Sequence, residues 1–389
     1  MHMMALLLLA ATPAAAAVPP SGGEGFGPDR FMDHLTPEIE ARLLAAQAQG
    51  AARLRAMGQL PPAAPVAPAI ANLEWPLAPR PGVGVDWTGV SNFVDLNPAF
   101  PDQLLDYMCG ARTYDRGNGY NHRGTDFFTW PFPWTLQDLN IVDAVAAAPG
   151  VIIAKGDGNF DRECSGVNDT PNYVFVQHAD STVAWYLHLK NGSLTSKPVG
   201  GTVVAGEFLG KVGSSGASSG PHLHFELRAS SAGNAAVIDP FSGTCNNVPS
   251  AWAAQRPYYD SRINQLYTHR APPQFPNCPS TTEIPNIASS FNPGASVIFA
   301  AYYRDQRHGQ VTNFRVLRPD ASVFQAWSFD SQSVGGSLAH YAGSYWYFTY
   351  LLPANAPLGT WTFEATFQGQ MQTTTFEVGS VLFRNGFEN

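Results

Sequence analysis

Four histidines and one aspartate carry the residue types and spacings that could do chemistry. In "GYNHRGTDFF", residues 119–128, His122 stands four positions ahead of Asp126. Further on, "SSGPHLHFEL" holds His222 and His224 two residues apart in a stretch that alternates like a strand, and "WYLHLK" holds an isolated His188. At a period of two, both imidazoles of the H-x-H pair project from the same strand face, about 7 Å apart along the backbone. They can share one site. Each pattern alone is short enough to arise by chance. The information lies in their order and in the glycines around them: H-x-x-x-D after a Gly/Asn-rich turn, then the lone histidine, then G-P-H-L-H entering a strand behind the Ser/Gly-rich "GSSGASSG".

His122, Asp126 and one histidine of the pair supply two nitrogens and one oxygen. Hydrolytic zinc sites take three such protein ligands and keep the fourth position for water. The metal then lowers the pKa of that water and polarises the carbonyl under attack. The two histidines left over can take or give a proton, or steady a developing oxyanion, because an imidazole titrates near working pH.

These residues need rigid elements to hold them. From about Leu73 to Cys245 the chain reads as short strands and turns: "AVAAAPGVIIAKGDG", "NYVFVQHADSTVAWYLHL" and "VVAGEFLGKVGSSG" suit an antiparallel sheet. Few charged residues and abundant Gly and Pro favour β-rich architecture over long helices. A second β unit runs over 286–389, where "SVIFAAYY", "TNFRVLRP", "YWYFTYLLP", "GTWTFEATFQG" and "TTTFEVG" recur with alternating apolar positions, the pattern of an Ig-like β-sandwich. Its His308 and His340 have no neighbours at ligand spacing. Residues 246–285 read as a connector. Ahead of the first β unit, "LTPEIEARLLAAQAQGAARLRAMGQL" offers Thr36 as N-cap, Pro37 at the first helical position, and Ile39, Leu43 and Ala46 at helical spacing. A Pro/Ala linker, "PPAAPVAPAIA", follows, so residues 18–72 form a separable segment, either a spacer or an inhibitory propeptide.

The first seventeen residues have an apolar Leu/Ala run ending in small residues, the form of a secretory signal peptide, although no Lys or Arg precedes the run. No later stretch is long and apolar enough to span a bilayer. Export makes the even set Cys109, Cys164, Cys245 and Cys278, which lacks C-x-x-C spacing, two disulfides rather than a thiolate metal site. Proximity in the chain favours Cys109 with Cys164 and Cys245 with Cys278. A net charge of −8 without any Lys/Arg run argues against nucleic acid as a partner.

Two other features invite a reading. "FFTWPFPWTL" places Phe127, Phe128, Trp130, Phe132 and Trp134 directly after Asp126, half or more of it core and the rest a possible groove wall for a glycan or peptide. His178, beside the Asp180 turn, reads as a structural histidine at a hairpin end.

Taken together, "NHRGTDF", "WYLHLK" and "GPHLHFEL", in that order and with "AVAAAPGVIIAKGDG" between the first two, resemble the M23 family of zinc metallopeptidases, the lysostaphin- and LytM-type peptidoglycan endopeptidases. The resemblance covers roughly residues 80–245. It implies one Zn2+ held by His122, Asp126 and His224, with His188 and His222 as the catalytic pair. It also implies a secreted endopeptidase that cuts peptide bonds in peptidoglycan, stem or cross-bridge. The alternatives are a catalytically silent cell-wall binding or amidase-activating module, and a Gly-preferring extracellular metalloprotease. Tyr114 and Tyr120 lie just upstream of the first ligand, where the family often places a tyrosine. The oligomeric state is open.

Overall fold

The structure, a computed structural model, describes residues 16–33, 35–62, 72–83, 86–166, 169–336 and 338–379. Most of the leader, the Pro/Ala linker from 63 to 71 and the last ten residues fall outside that set.

The architecture is mainly β and its sheets are almost wholly antiparallel. The peptidase-like unit is built on an eight-stranded sheet whose path runs Thr88–Asn92, Thr125–Thr129, His222–Arg228, Val183–Leu187, Tyr173–Gln177, Gly150–Gly156 and Thr202–Val203, with Val237–Ile238 paired to His222–Arg228 off that path. A three-stranded sheet of Phe208–Lys211, Val142–Val145 and Leu77–Pro79 packs against one face, around Leu223, Phe225, Val174, Val176 and Phe127. On the opposite face lies one continuous helix, Pro37–Ala56, which buries Ile39, Leu43, Ala51 and Leu54 against Ile153, Phe175 and Trp185. Its start follows the sequence reading: Thr36 is the N-cap, its hydroxyl accepting from Ile39 N at 3.4 Å, and Pro37 opens the first turn. Gly50 sets the distance of closest approach, because a Cβ there would stand 2.0 Å from the Ile153 carbonyl oxygen.

The C-terminal unit is a sandwich of a four-stranded and a five-stranded sheet, with Phe299, Phe314, Trp327, Trp361 and Phe363 filling the space between them. Two of its strands come from outside the expected range. Arg262–His269, in the expected connector, pairs with Ser296–Arg307, and Gly22–Phe26 pairs with His340–Leu351 at the other edge. The connector is therefore partly sandwich, since an alternating strand in this stretch finds a free sheet edge to bond with.

Most of the aromatic run after Asp126 is core. Phe128, Trp130 and Phe132 are buried with Phe26, Tyr302 and Tyr345 in the seam between the two units. Trp130 stacks on Phe275 at 5.2 Å. Burial of such large apolar surfaces welds the units together.

The disulfides are Cys109–Cys245 and Cys164–Cys278, not the pairing expected from chain proximity. The reason is tertiary. The turn around Cys109 is drawn to Cys245, whose N–H donates to the Tyr107 carbonyl, and Arg162, near Cys164, donates from its guanidinium to Thr281, close to Cys278. Each bond thus closes a loop of more than a hundred residues, and the second ties the peptidase-like unit to the segment leading into the sandwich.

Candidate metal centre

Three neighbouring strands and the loops at their ends bring the five residues together. Asp126 lies on Thr125–Thr129 and His224 is its partner in register on the next strand. On the other side His224 pairs with Leu187, so His188 follows immediately at the strand end. His122 enters from the turn before Asp126, where Gly124 passes over the His224 ring so closely that a Cβ would meet Nε2 at 2.6 Å. That contact accounts for the glycine of the "HRGTD" stretch. His188 itself sits at φ +62°, a strained region for a residue with a side chain.

All five side chains are buried, each 0 % exposed. Hydrogen bonds fix the imidazoles. His122 donates from Nδ1 to the Phe93 carbonyl at 2.6 Å, leaving Nε2 directed at the centre. His224 uses the opposite nitrogens: Nε2 lies 3.4 Å from a Glu226 carboxylate oxygen, and Nδ1 faces Asp126 Oδ1 at 3.0 Å. His188 and His222 each donate from Nδ1 to a carbonyl, Ser215 O and Gly220 O respectively, both at 2.7 Å. Their Nε2 atoms are buried without a hydrogen-bond partner. Outer partners of this kind select the ring tautomer and aim the free lone pair.

A further carboxylate joins the cluster. Asp33, from the N-terminal segment, places Oδ2 2.8 Å from His224 Nδ1. Asp33, His122, Asp126 and His224 each offer one donor atom, and the four atoms lie within 4.8 Å of one another. His122 Nε2 is 3.1 Å from Asp126 Oδ1 and 3.3 Å from His224 Nδ1. Donors roughly 2 Å from a tetrahedral zinc stand about 3.3 Å apart, so spacing and donor types both suit that ion.

The electrostatics agree. Burial works against charge throughout, yet the facing imidazoles hold the Asp126 carboxyl well below its ordinary range. For His224 burial is likewise opposed, by Asp33, Asp126 and Glu226, which hold the imidazole well above its usual value. His188 goes the other way: burial, with His222 beside it, pushes it down to about 3, and burial also lowers His222. The pair is neutral at ordinary pH.

Several further side chains take part, of which the sequence reading had noted only Tyr114 and Tyr120. Asn92, in register with Asp126, donates to Asp126 Oδ2 at 3.3 Å. Tyr114 donates to the same oxygen at 3.2 Å, and Tyr120 donates to Asp33 Oδ2 at 3.0 Å. Glu226 is held by Arg228, and Glu40 of the helix pairs with both Arg228 and Arg123. Alternation along "HLHFELR" could have flagged Glu226 and Arg228 as facing the site. Nothing local marks Asp33. His178 is a buried structural histidine bonded to the Pro149 carbonyl, and His308 and His340 lie in the sandwich. The "GSSGASSG" loop is pinned by buried serines: Ser215 donates to the Leu189 carbonyl and Ser214 bonds Ser218.

Comparison with known proteins finds similarity over part of the chain. Residues 138–240 match the model of peptidase family M23, a stretch that includes His188, His222 and His224, with His122 and Asp126 just ahead of it. It is 33% identical over 124 residues to the glycyl-glycine endopeptidase ALE-1 of Staphylococcus capitis, covering 32% of this chain and 29% of that protein. It is 32% identical over 107 residues to the peptidoglycan DD-endopeptidase ShyC of Vibrio cholerae, covering 27% and 20%. Less than a third of each curated relative is thus spanned. Among solved structures, the catalytic domain of lysostaphin from Staphylococcus simulans aligns at 28% identity over 33% of this chain and 83% of that one, with a TM-score of 0.24. Among the described residues no helix is long and apolar enough to cross a membrane.

Proposed function

We propose that this protein is a secreted zinc-dependent endopeptidase that hydrolyses peptide bonds in bacterial cell-wall peptidoglycan, with His122, Asp126 and His224 as metal ligands and His188 and His222 as the proton-handling pair. One observation carries the reading: the two ligand histidines present free nitrogens to a shared carboxylate, while two further neutral histidines present unpartnered Nε2 atoms beside it.

When bound, zinc supplies a water acidic enough to attack at neutral pH and polarises the scissile carbonyl. The protein's own groups do the rest. His188 and His222, their rings 4.6 Å apart, accept a proton at Nε2 and return it to the departing amine. Asp126 Oδ1, 3.7 Å from His222 Nε2, stabilises the charge that ring gains. The carbonyls of Ser215 and Gly220 keep both rings in the tautomer that this transfer needs. The substrate class is supported by the relatives, one named a glycyl-glycine endopeptidase and the other a peptidoglycan DD-endopeptidase. Export is supported by the apolar leader and by two disulfides.

The test is release of new amino groups from purified peptidoglycan, with and without a chelator, by the protein freed of its N-terminal contacts and by His222→Ala. Chelator-sensitive release that falls about 10²–10⁴-fold in the variant, with metal retained, is expected. A second reading, a metal-bearing cell-wall binding module without catalysis, is favoured by the presence of four rather than three protein donors. It predicts wall binding that neither His188→Ala nor His222→Ala disturbs.

A further inference from the structure

We infer that the seam between the peptidase-like unit and the sandwich carries a second binding groove, one that takes a neutral glycan chain bearing acetamido groups. The inference rests on the peptidoglycan reading above for the source of that glycan, and it gives the sandwich a share in holding the polymer.

Two cavities meet at Asp86, which lines both. The first, of about 450 Å³, has Trp75, Trp87 and Arg256 in its walls. The second, of about 360 Å³, is lined from the sandwich by Asn264, Gln265, Gln372 and Thr374. Each falls within the size range of small-molecule sites, about 300–1,000 Å³. Trp75 packs edge-on against Phe127 at 4.7 Å, and Phe127 belongs to the apolar face of the large sheet. The groove therefore lies on the side of the sheet away from the metal centre.

The walls divide into the kinds of surface that match a sugar. Trp75 and Trp87, both half-buried, offer indole rings to the apolar C–H face of a pyranose, and Arg256 stacks on Trp75 at 4.0 Å and fixes that ring. Both indole N–H groups lack a partner in the protein, although a tryptophan N–H usually finds one. In the second cavity Asn264 is the extra residue of a β-bulge in Arg262–His269, between Ile263 opposite Tyr303 and Gln265 opposite Tyr302. Bulges re-aim a side chain. Asn264, 2% exposed, donates from Nδ2 to the Asp86 and Thr88 carbonyls at 3.0 and 3.1 Å, and its Oδ1 is left without a partner. Gln265 Nε2, next to it, has none either. Buried polar atoms are costly to leave unpaired. Three donors and one acceptor in these walls are thus free for a ligand, and an acetamido group with its neighbouring hydroxyls supplies the matching acceptors and donor. Charge argues against an ionic ligand: Asp86 pairs with Arg256 at 3.3 Å and with Arg304 at 2.9 Å, and Arg262 pairs with Asp260 at 2.9 Å. Every charge in the walls is matched inside the protein, so the ligand that fits is neutral.

The test is calorimetric titration of the full chain with chitotetraose, the tetrasaccharide of N-acetylglucosamine, beside cellotetraose, which has hydroxyls in place of the acetamido groups. Wild type should bind one chitotetraose saturably and cellotetraose at least tenfold more weakly, roughly the worth of a lost hydrogen bond or two. Trp87→Ala should weaken chitotetraose binding about tenfold through the lost ring contact. Thr374→Arg, which fills the second cavity from the sandwich and leaves the peptidase-like unit untouched, should weaken it at least as much and covers the case in which Trp87→Ala does not fold. A chelator should change none of these affinities. No saturable binding, equal binding of the two sugars, or a Thr374→Arg protein that binds as wild type does would each overturn the inference. Amine release from peptidoglycan, measured on the same preparations, reports on the peptidase reading separately, because chitotetraose has no peptide bond to cut.

Discussion

The strand His222–Arg228 has two faces, both buried, of opposite character. Leu223, Phe225 and Leu227 pack into the core with Phe127, Val174 and Val176, while His222, His224, Glu226 and Arg228 lie on the other face, where His224 meets Asp33 and Arg228 meets Glu40 of the N-terminal helix. On the apolar face burial itself is the driving force, and the residues are held by contact area. On the polar face burial is a cost met group by group: Glu226 by Arg228 and His224, Arg228 by Glu40, the histidines by carbonyls and carboxylates. A sheet needs only one hydrophobic face to fold. The second is arranged for chemistry, and it is dry because a segment of the same chain lies on it.

Substitutions on the two faces should separate these roles. Phe225→Ala should lower unfolding free energy by about 3–5 kcal/mol, the range for deleting a buried ring. His222→Ala, one face over, should cost only roughly 1 kcal/mol. Chemical denaturation of both variants checks this, and equal losses would mean that the polar face is ordinary core.

The polar face should also respond to protons where the apolar one cannot. Asp33, Asp126 and Glu226 outweigh burial to keep His224 protonated above the usual imidazole range when no metal is bound. Loading the site must expel that proton, so affinity should rise with pH, by up to about tenfold per unit while His224 remains charged in the free protein. The sign is fixed by the raised pKa: acid favours the proton, base the metal. Calorimetry in buffers of differing ionisation enthalpy should show about one proton released per Zn2+ bound. A pH-independent affinity would place the metal elsewhere.

Much of the polar face was legible in the sequence, and the limits of that legibility are physical. The period of two in "PHLHFELR" put His222 and His224 on one side, and strand register then supplied Asp126 as the neighbour of His224. The capped helix was equally plain, because Thr36 and Pro37 act locally. What escaped depended on long-range packing. Asp33 has no motif, since its role comes from the path of a segment that pairs at one end with the sandwich and at the other with the serine loop. The disulfides escaped for the same reason: chain proximity does not determine which loops a fold brings together. The aromatic run after Asp126 advertised a surface that the sandwich covers, and only the placement of the second unit reveals it as a seam.

The central claim is that the polar face of this sheet is a metal centre built from these particular residues. Zinc K-edge X-ray absorption on the loaded full chain tests it most directly, alongside His224→Ala. The account predicts one zinc per chain with nitrogen and oxygen donors only, two of them imidazoles, and loss of that zinc in the variant. A sulfur donor, or a zinc site indifferent to His224→Ala, would contradict it.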